Sequence, residues 1–232
     1  MFIIKTPEKP APSRGARLSP ADQTRAVLVR AALKLFGRQG FEGTSTREIA
    51  ALAKANIGSI AYHFGGKEGL RAACANYIVE TIGGVAGAAM AETAGGSHDA
   101  EAAQAQLETV LEAMVAFIVA RPEAGEFVQF VLRELSQPSE ALDIIYDGVF
   151  EPVHQRLCNI WAEASGEDAE SESTRITIFT LIGQVVYFRI ARAAVMRRLG
   201  WDHLGPAEAA TIISVVKGNI EAILAARKGD KP

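Results

Sequence analysis

Within seven residues the chain brings together Ile57, Gly58, Ser59, Ala61, Tyr62 and His63: a glycine, a hydroxyl, a phenol, an imidazole and two apolar groups. Exposed on one short helix, these groups suit contact in a nucleic-acid groove, and Gly58 lets the backbone come near DNA. Little else in the sequence offers chemistry. His63, His98, His154 and His203 are scattered on separate segments, and Cys74 and Cys158 match no metal or redox spacing. There is no G-x-S-x-G, no phosphate-cradling glycine loop and no H-E-x-x-H, so no enzyme activity, metal or cofactor is expected.

The elements that must hold these groups read as helices. Residues 1–19 are rich in Pro, Ser, Lys and Arg without periodicity and are expected to be a disordered basic arm. Pro20 opens a helix whose stripe (Ala26, Val27, Leu28, Ala31, Leu33, Leu35, Phe36) ends at Gly40. Ser45 and Glu48 form the S-x-x-E of a capping box, which predicts a short helix to about Ala53. A second short helix follows Asn56, a good cap residue, and stops near Phe64-Gly65-Gly66. Leu35, Phe36, Phe41, Ile49, Leu52, Ile60 and Phe64 suit a miniature core, and the small Ala50 and Ala53 let the short helices approach. This is the arrangement of a helix-turn-helix.

Longer helices are expected over 67–92, 100–120, 123–136, 139–164, 171–199 and 206–227. The breaks fall at Gly95-Gly96, Pro122, Pro138, Ser165-Gly166 and Gly205-Pro206. No window alternates as a strand would, so the fold class is all-α. The division reads as an arm (1–19), a helix-turn-helix domain (20–66) and a helical body (67–232).

Apolar residues are 49% and charged residues 22% of the 232, an ordinary globular balance. The net charge of −3 hides an asymmetry. Residues 1–73 hold twelve Lys or Arg against five Asp or Glu (+7), and residues 74–232 hold twelve against twenty-two (−10). A basic head on an acidic body suits a head that meets a polyanion. The start lacks the apolar run and small-residue cleavage site of a secretory signal, and the longest charge-free stretch, Ile176 to Phe188, is too short to span a bilayer. A cytoplasmic protein with no membrane partner is expected.

Three runs closely resemble the signature of the TetR regulator family: Gly40-Phe41-Glu42-Gly43-Thr44-Ser45-Thr46-Arg47-Glu48-Ile49-Ala50, Gly58-Ser59-Ile60-Ala61-Tyr62-His63-Phe64 and Lys67-Glu68-Gly69-Leu70. The likeness covers roughly residues 22–71 without a gap. It implies an N-terminal three-helix DNA-binding domain, a C-terminal helical ligand-binding and dimerisation domain, and a homodimer. Carried over by position, it implies phosphate contacts from Thr44, Thr46 and Arg47. Asn56, Ile57, Gly58, Ser59 and Tyr62 would face bases or adjacent backbone, and His63 and Lys67 would reach phosphates. Three residues depart from the pattern. Lys54 stands where glycine is common, at a strain of about 1 kcal/mol if φ is positive. Ala55 replaces a larger aliphatic and Ala61 an aromatic. Lys5, Lys9, Arg14 and Arg17 in the arm either add DNA contacts or form a solvated tail.

In the body, residues 176–190 are apolar nearly all round. Ile178, Leu181, Ile182, Val185 and Phe188 lie on one side, and Phe179, Val186 and Ile190 on the other. The last helix carries Ile212, Val216, Ile220 and Ile223, with Ile213 and Leu224 beside them. Two such helices suit a four-helix bundle across a two-fold axis, and a monomer with a central core helix is the alternative. Thr180, Gln184 and Tyr187 share a face of the apolar helix, where a ligand or a cross-dimer hydrogen bond would satisfy them. Gln129, Arg133, Tyr146 and His154 are further candidate ligand contacts. Gly83, Gly84 and Gly87 weaken the helix that links head and body, and either close packing or a hinge would account for them. The expectation is a dimeric repressor that binds palindromic operator DNA and is released by a small-molecule inducer. A regulator without an inducer, governed by abundance or a protein partner, is the alternative.

Overall fold

The computed structural model describes residues 19–91 and 99–229, so the arm cations and the Gly95-Gly96 break lie outside the described residues. What is described is all-α. The head comprises α1 (Pro20–Gln39), α2 (Thr46–Ala53) and α3 (Gly58–Phe64). The rest comprises α4 (Lys67–Ala91), α5 (Ala100–Ile118), α6 (Ala124–Ser136), α7 (Glu140–Ile145), a π-turn (Tyr146–Phe150), α8 (Glu151–Ser165), α9 (Glu172–Ile190), α10 (Arg192–Leu199) and α11 (Pro206–Gly229).

Helix starts follow local chemistry. Ser19, expected in the arm, instead caps α1, its Oγ accepting the Asp22 N–H at 3.1 Å with Pro20 in the first turn. The Ser45/Glu48 capping box forms as expected. Glu48 accepts from both the backbone N–H and the hydroxyl of Ser45, which holds its carboxyl below the usual range. Asn56 does not cap α3 from the helix boundary. Its Oδ1 accepts the Gly58 N–H at 2.8 Å, an Asx-type turn, and Ile57 is the residue flanking α3.

Two long helices expected as single rods are broken. The 139–164 helix is interrupted by the π-turn, where the Glu151 N–H reaches the Tyr146 carbonyl five residues back. Pro152 explains it: in a regular helix its ring would clash with the carbonyl of Gly148, and the wider turn relieves that clash. A Cβ at Gly148 would stand 2.7 Å from Val79 Cγ1, so the glycine also lets this turn approach α4. The 171–199 helix turns by 80° between α9 and α10. No proline or glycine marks the break. The bend buries Val195 and brings Met196 and Trp201 onto the core, which a straight helix would carry past it.

Two apolar cores result. One joins α5, α8, α9 and α11 around Trp161, Leu107 and Ile220. The other runs without interruption from the head (Leu28, Phe36, Ile49, Ile60) through α4 to Phe127, Phe130 and Ile145. The head is therefore seated on α4 and α6, and α7 packs on α4 behind it. By length and composition Pro206–Arg227 is apolar enough to cross a membrane, but Ile212, Val216, Ile220 and Leu224 are buried in the distal core. The other side of α11, with Val215, Gly218 and Ala222, is exposed.

Candidate nucleic-acid interface

Helix α3 is anchored by Ile60, which is fully buried, with Phe64 half-buried beneath it. Helical spacing then turns Ile57, Gly58, Ala61 and Tyr62 outward. Tyr62 is 84% exposed and rests edge-on against His63 at a centroid distance of 4.9 Å. Arg47 is exposed at the start of α2, with Thr46 half-buried beside it. There the helix amides and the guanidinium both favour an anion. Ser59 and His63 are half-buried and Asn56 is exposed, with its amide nitrogen left to donate.

Two expectations need correction. Thr44 is 2% exposed, and its hydroxyl donates to the Gly40 carbonyl at 2.7 Å, closing the turn into α2. Its side chain holds the turn and is not available to phosphate. Leu52, expected in the miniature core, is 46% exposed, because Ile49 and Ala50 form the buried side of α2.

The turn between α2 and α3 depends on Lys54, whose φ of 52° and ψ of 39° are left-handed. It is the one non-glycine residue of positive φ among those described. The strain expected there is present, so Lys54→Gly should raise stability by up to about 1 kcal/mol, read as a shift in urea midpoint. An unchanged or lower midpoint would mean that lysine contacts outweigh the backbone cost.

The head is tied to the body by charge as well as by packing. The Lys67 ammonium lies 4.1 Å from the Phe41 ring centre and the Arg71 guanidinium 4.4 Å from the same ring. Arg71 forks onto Glu134 of α6 at 3.0 and 2.8 Å, and Ser139 donates to the same carboxylate at 2.6 Å. Arg133, the neighbouring residue, donates to the Gly37 and Arg38 carbonyls at 3.4 and 3.2 Å. It caps the end of α1.

The seven candidate ligand residues do not converge. Gln129 and Arg133 lie beside the end of α1, where Arg133 is committed to backbone carbonyls. Tyr146 is half exposed at the π-turn. His154 stacks on Phe179 at 4.0 Å and contacts the Arg175 carbonyl through Nε2 at 3.1 Å. Thr180 is exposed and donates to the Thr177 carbonyl, Gln184 accepts from Asn219 of α11 at 2.7 Å, and Tyr187 is exposed. These last three lie on the outer face of α9, since Ile178, Leu181 and Val185 take the inner one. A cleft of about 500 Å³ opens elsewhere, between α4, α5 and α11, and none of the seven lines it. The sequence signal for it was the pairing of alanine-rich stretches, 86–89 and 113–120, on consecutive helices.

A short exposed helix on a two-helix unit, braced by long α4 beneath an all-helical body, is the architecture of a helix-turn-helix transcription regulator. Residues 28–74 match the bacterial regulatory proteins of the TetR family, and residues 103–227 match the C-terminal domain of the HTH-type transcriptional dual regulator CecR. The chain belongs to the TetR family: it is a DNA-binding transcriptional regulator and not an enzyme. It is 31% identical over 213 residues to the dual regulator CecR of Shigella flexneri, covering 88% of this chain and 92% of that one. Its fold is similar to that of a transcriptional regulator from Pseudomonas aeruginosa PAO1 (TM-score 0.66, 19% identity, 93% and 97% of the two chains). It is also similar to that of AibR solved with isovaleryl coenzyme A and operator DNA (TM-score 0.59, 18% identity, 84% and 96%).

Proposed function

We propose that the protein is a repressor that binds a palindromic operator as a homodimer and is released by a small-molecule inducer. The head is residues 20–66 and the body 67–232. The observation that carries the DNA-binding part is the outward set Ile57, Gly58, Ala61 and Tyr62 on a helix locked by buried Ile60. In this reading Asn56, Ile57, Gly58, Ser59 and Tyr62 meet bases or adjacent backbone. Thr46, Arg47, His63 and Lys67 meet phosphate.

The dimer would form on α9 and α11. Ile176, Phe179, Tyr187 and Ile190 stand exposed along one side of α9, an apolar stripe costly to leave in water. The exposed side of α11, carrying Val215, Gly218 and Ala222, permits close approach of a second copy. Two heads so joined must place their recognition helices about 34–36 Å apart to enter successive major grooves. A ligand that favours another separation weakens DNA binding by its differential affinity for that shape. The AibR complex, with an acyl coenzyme A and operator DNA, supports this reading of the fold.

The test is fluorescence anisotropy of the purified protein on the intergenic DNA upstream of its own gene at two salt concentrations. Tight binding of one palindromic segment, weakening steeply with salt, is expected. Tyr62→Ala should lower specific affinity at least about tenfold while leaving the salt slope nearly unchanged, since a base contact is lost and phosphate contacts are kept. Equal binding of that segment and random DNA would reject the assignment of this operator. Because the Shigella flexneri relative is a dual regulator, a promoter-reporter assay should read both signs of regulation.

A further inference from the structure

We propose that the cleft between α4, α5 and α11 is the effector site and takes an elongated amphipathic anion, an acyl chain ending in a carboxylate that Arg121 holds. This rests on the inducer part of the function proposed above and names the ligand class.

Shape comes first. The walls are small or apolar: Val85 and Ala88 on α4, Ala113, Ala116 and Phe117 on α5, and Ile213 on α11. Facing alanines cannot close the space between their helices, which leaves the cleft of about 500 Å³. Along α5 the lining runs from Thr109 to Phe117, about 12 Å at 1.5 Å per residue, and Arg121, three residues past the end of that helix, continues it, room for an extended chain of about a dozen carbons.

Charge decides the head group. Glu112 also lines the cleft, but it is bridged to Lys217 of α11, which reaches Glu108 at 3.6 Å as well. The hydrogen bond that Lys217 donates to Glu112, with the two carboxylate charges, holds the lysine above its ordinary range. Two carboxylates against one ammonium leave this end of the cleft net acidic, which turns an anionic head group away from it. At the other end the Arg121 guanidinium lies 5.8 Å from the Phe117 ring centre and forms no ion pair among the described residues. A planar guanidinium beside an apolar trough matches a carboxylate on a hydrocarbon tail.

Position gives such a ligand leverage. Val85, Ala88 and Ala89 lie on the same stretch of α4 as Gly83, Gly84 and Gly87. A Cβ on any of those glycines would meet nothing within 4 Å, so the far side of the stretch has no packing to resist bending. The first turns of the same helix hold Phe41 of the head through Lys67 and Arg71. A chain wedged between α4 and α5 thus pushes on the helix that carries the head.

The test compares dodecanoate with dodecan-1-ol, both below aggregation, by calorimetry and by release of operator DNA in anisotropy. Dodecanoate should bind at least tenfold more tightly than the alcohol and release the DNA. Arg121→Gln should erase the preference for the acid, and Ala116→Phe, at an exposed position, should block both. Operator affinity of each variant without additive sets the baseline. Equal binding of acid and alcohol, or an acid preference that survives Arg121→Gln, would overturn the proposal. Failure of dodecanoate to bind a protein that still holds its operator would overturn the ligand class and leave the DNA-binding reading standing. Failure to bind any operator would strike that reading instead.

Discussion

Glu134→Gln is expected to cost about 3 kcal/mol of folding stability, measured as a lowered urea midpoint at unchanged slope. Glu134 is 2% exposed and accepts three hydrogen bonds, two from Arg71 and one from Ser139. Removing its charge leaves a guanidinium uncompensated where the side chain is only 14% exposed. Breaking a buried pair from one side costs about 3–5 kcal/mol, and the small remaining exposure of Arg71 places this one at the lower end. The loss should extend to DNA. Arg71 freed from Glu134 no longer holds the Phe41 ring, and Phe41 sits in the turn that leads to the Ser45 cap of α2. Operator affinity of the folded protein should therefore fall about tenfold, with its salt dependence kept, because the phosphate-facing groups are untouched. Arg71→Lys tests the same link while keeping both charges. A lower midpoint with full operator affinity in both variants would reduce the ion pair to a purely structural role. Arg133→Ala should cost much less, about 1 kcal/mol or under, since its bonds to the end of α1 are long and partly exposed.

The opposite sign is expected for α4. Changing Gly83, Gly84 and Gly87 together to alanine should raise stability by about 2–3 kcal/mol, near 1 kcal/mol for each position. All three are in an unbroken helix, and the added methyl groups meet nothing within 4 Å. Of the two readings open to the sequence, close packing of these glycines within the subunit is therefore absent, and a compliant stretch remains. If that compliance carries the inducer signal, the stabilised protein should keep its operator affinity while needing at least tenfold more inducer to release DNA. A fall in stability would show instead that a partner surface covers the glycines in the working assembly. Unchanged inducer sensitivity with raised stability would separate the helix weakness from signalling.

Much of the head was legible because its determinants are short-range. The Ser45–Glu48 box, the glycine at position 40 and the pairing of small and apolar residues act within a few residues of one another. The strain at Lys54 was legible for the same reason: a turn of this length requires a left-handed residue whatever surrounds it. The reading failed where residue type does not say which way a side chain turns. Thr44 looked like a phosphate contact, but its hydroxyl closes on the Gly40 carbonyl once Phe41 and Phe36 pack together. Leu52 is apolar and periodic, yet α2 presents its other side to α1.

In the body the division is sharper. The all-helical character, the two-sided apolarity of 176–190 and the weak glycine stretch were properties of the chain itself, since periodicity and propensity are summed over neighbours. The π-turn before Pro152 and the bend after Ile190 belong to both levels. Proline supplies the local cause of the first, whereas only the position of the distal core explains the second. Which polar residues share a site was decided by tertiary structure alone. Gln129, Arg133, Tyr146, His154, Thr180, Gln184 and Tyr187 are all polar groups in apolar sequence, and folding distributes them among a helix cap, a π-turn and an outer face. The cleft is instead walled largely by alanines, whose stretches on consecutive helices hint at it without saying that those two faces will meet. A cavity is what opposing helices fail to fill, and that depends on which faces meet across the fold rather than on any one segment.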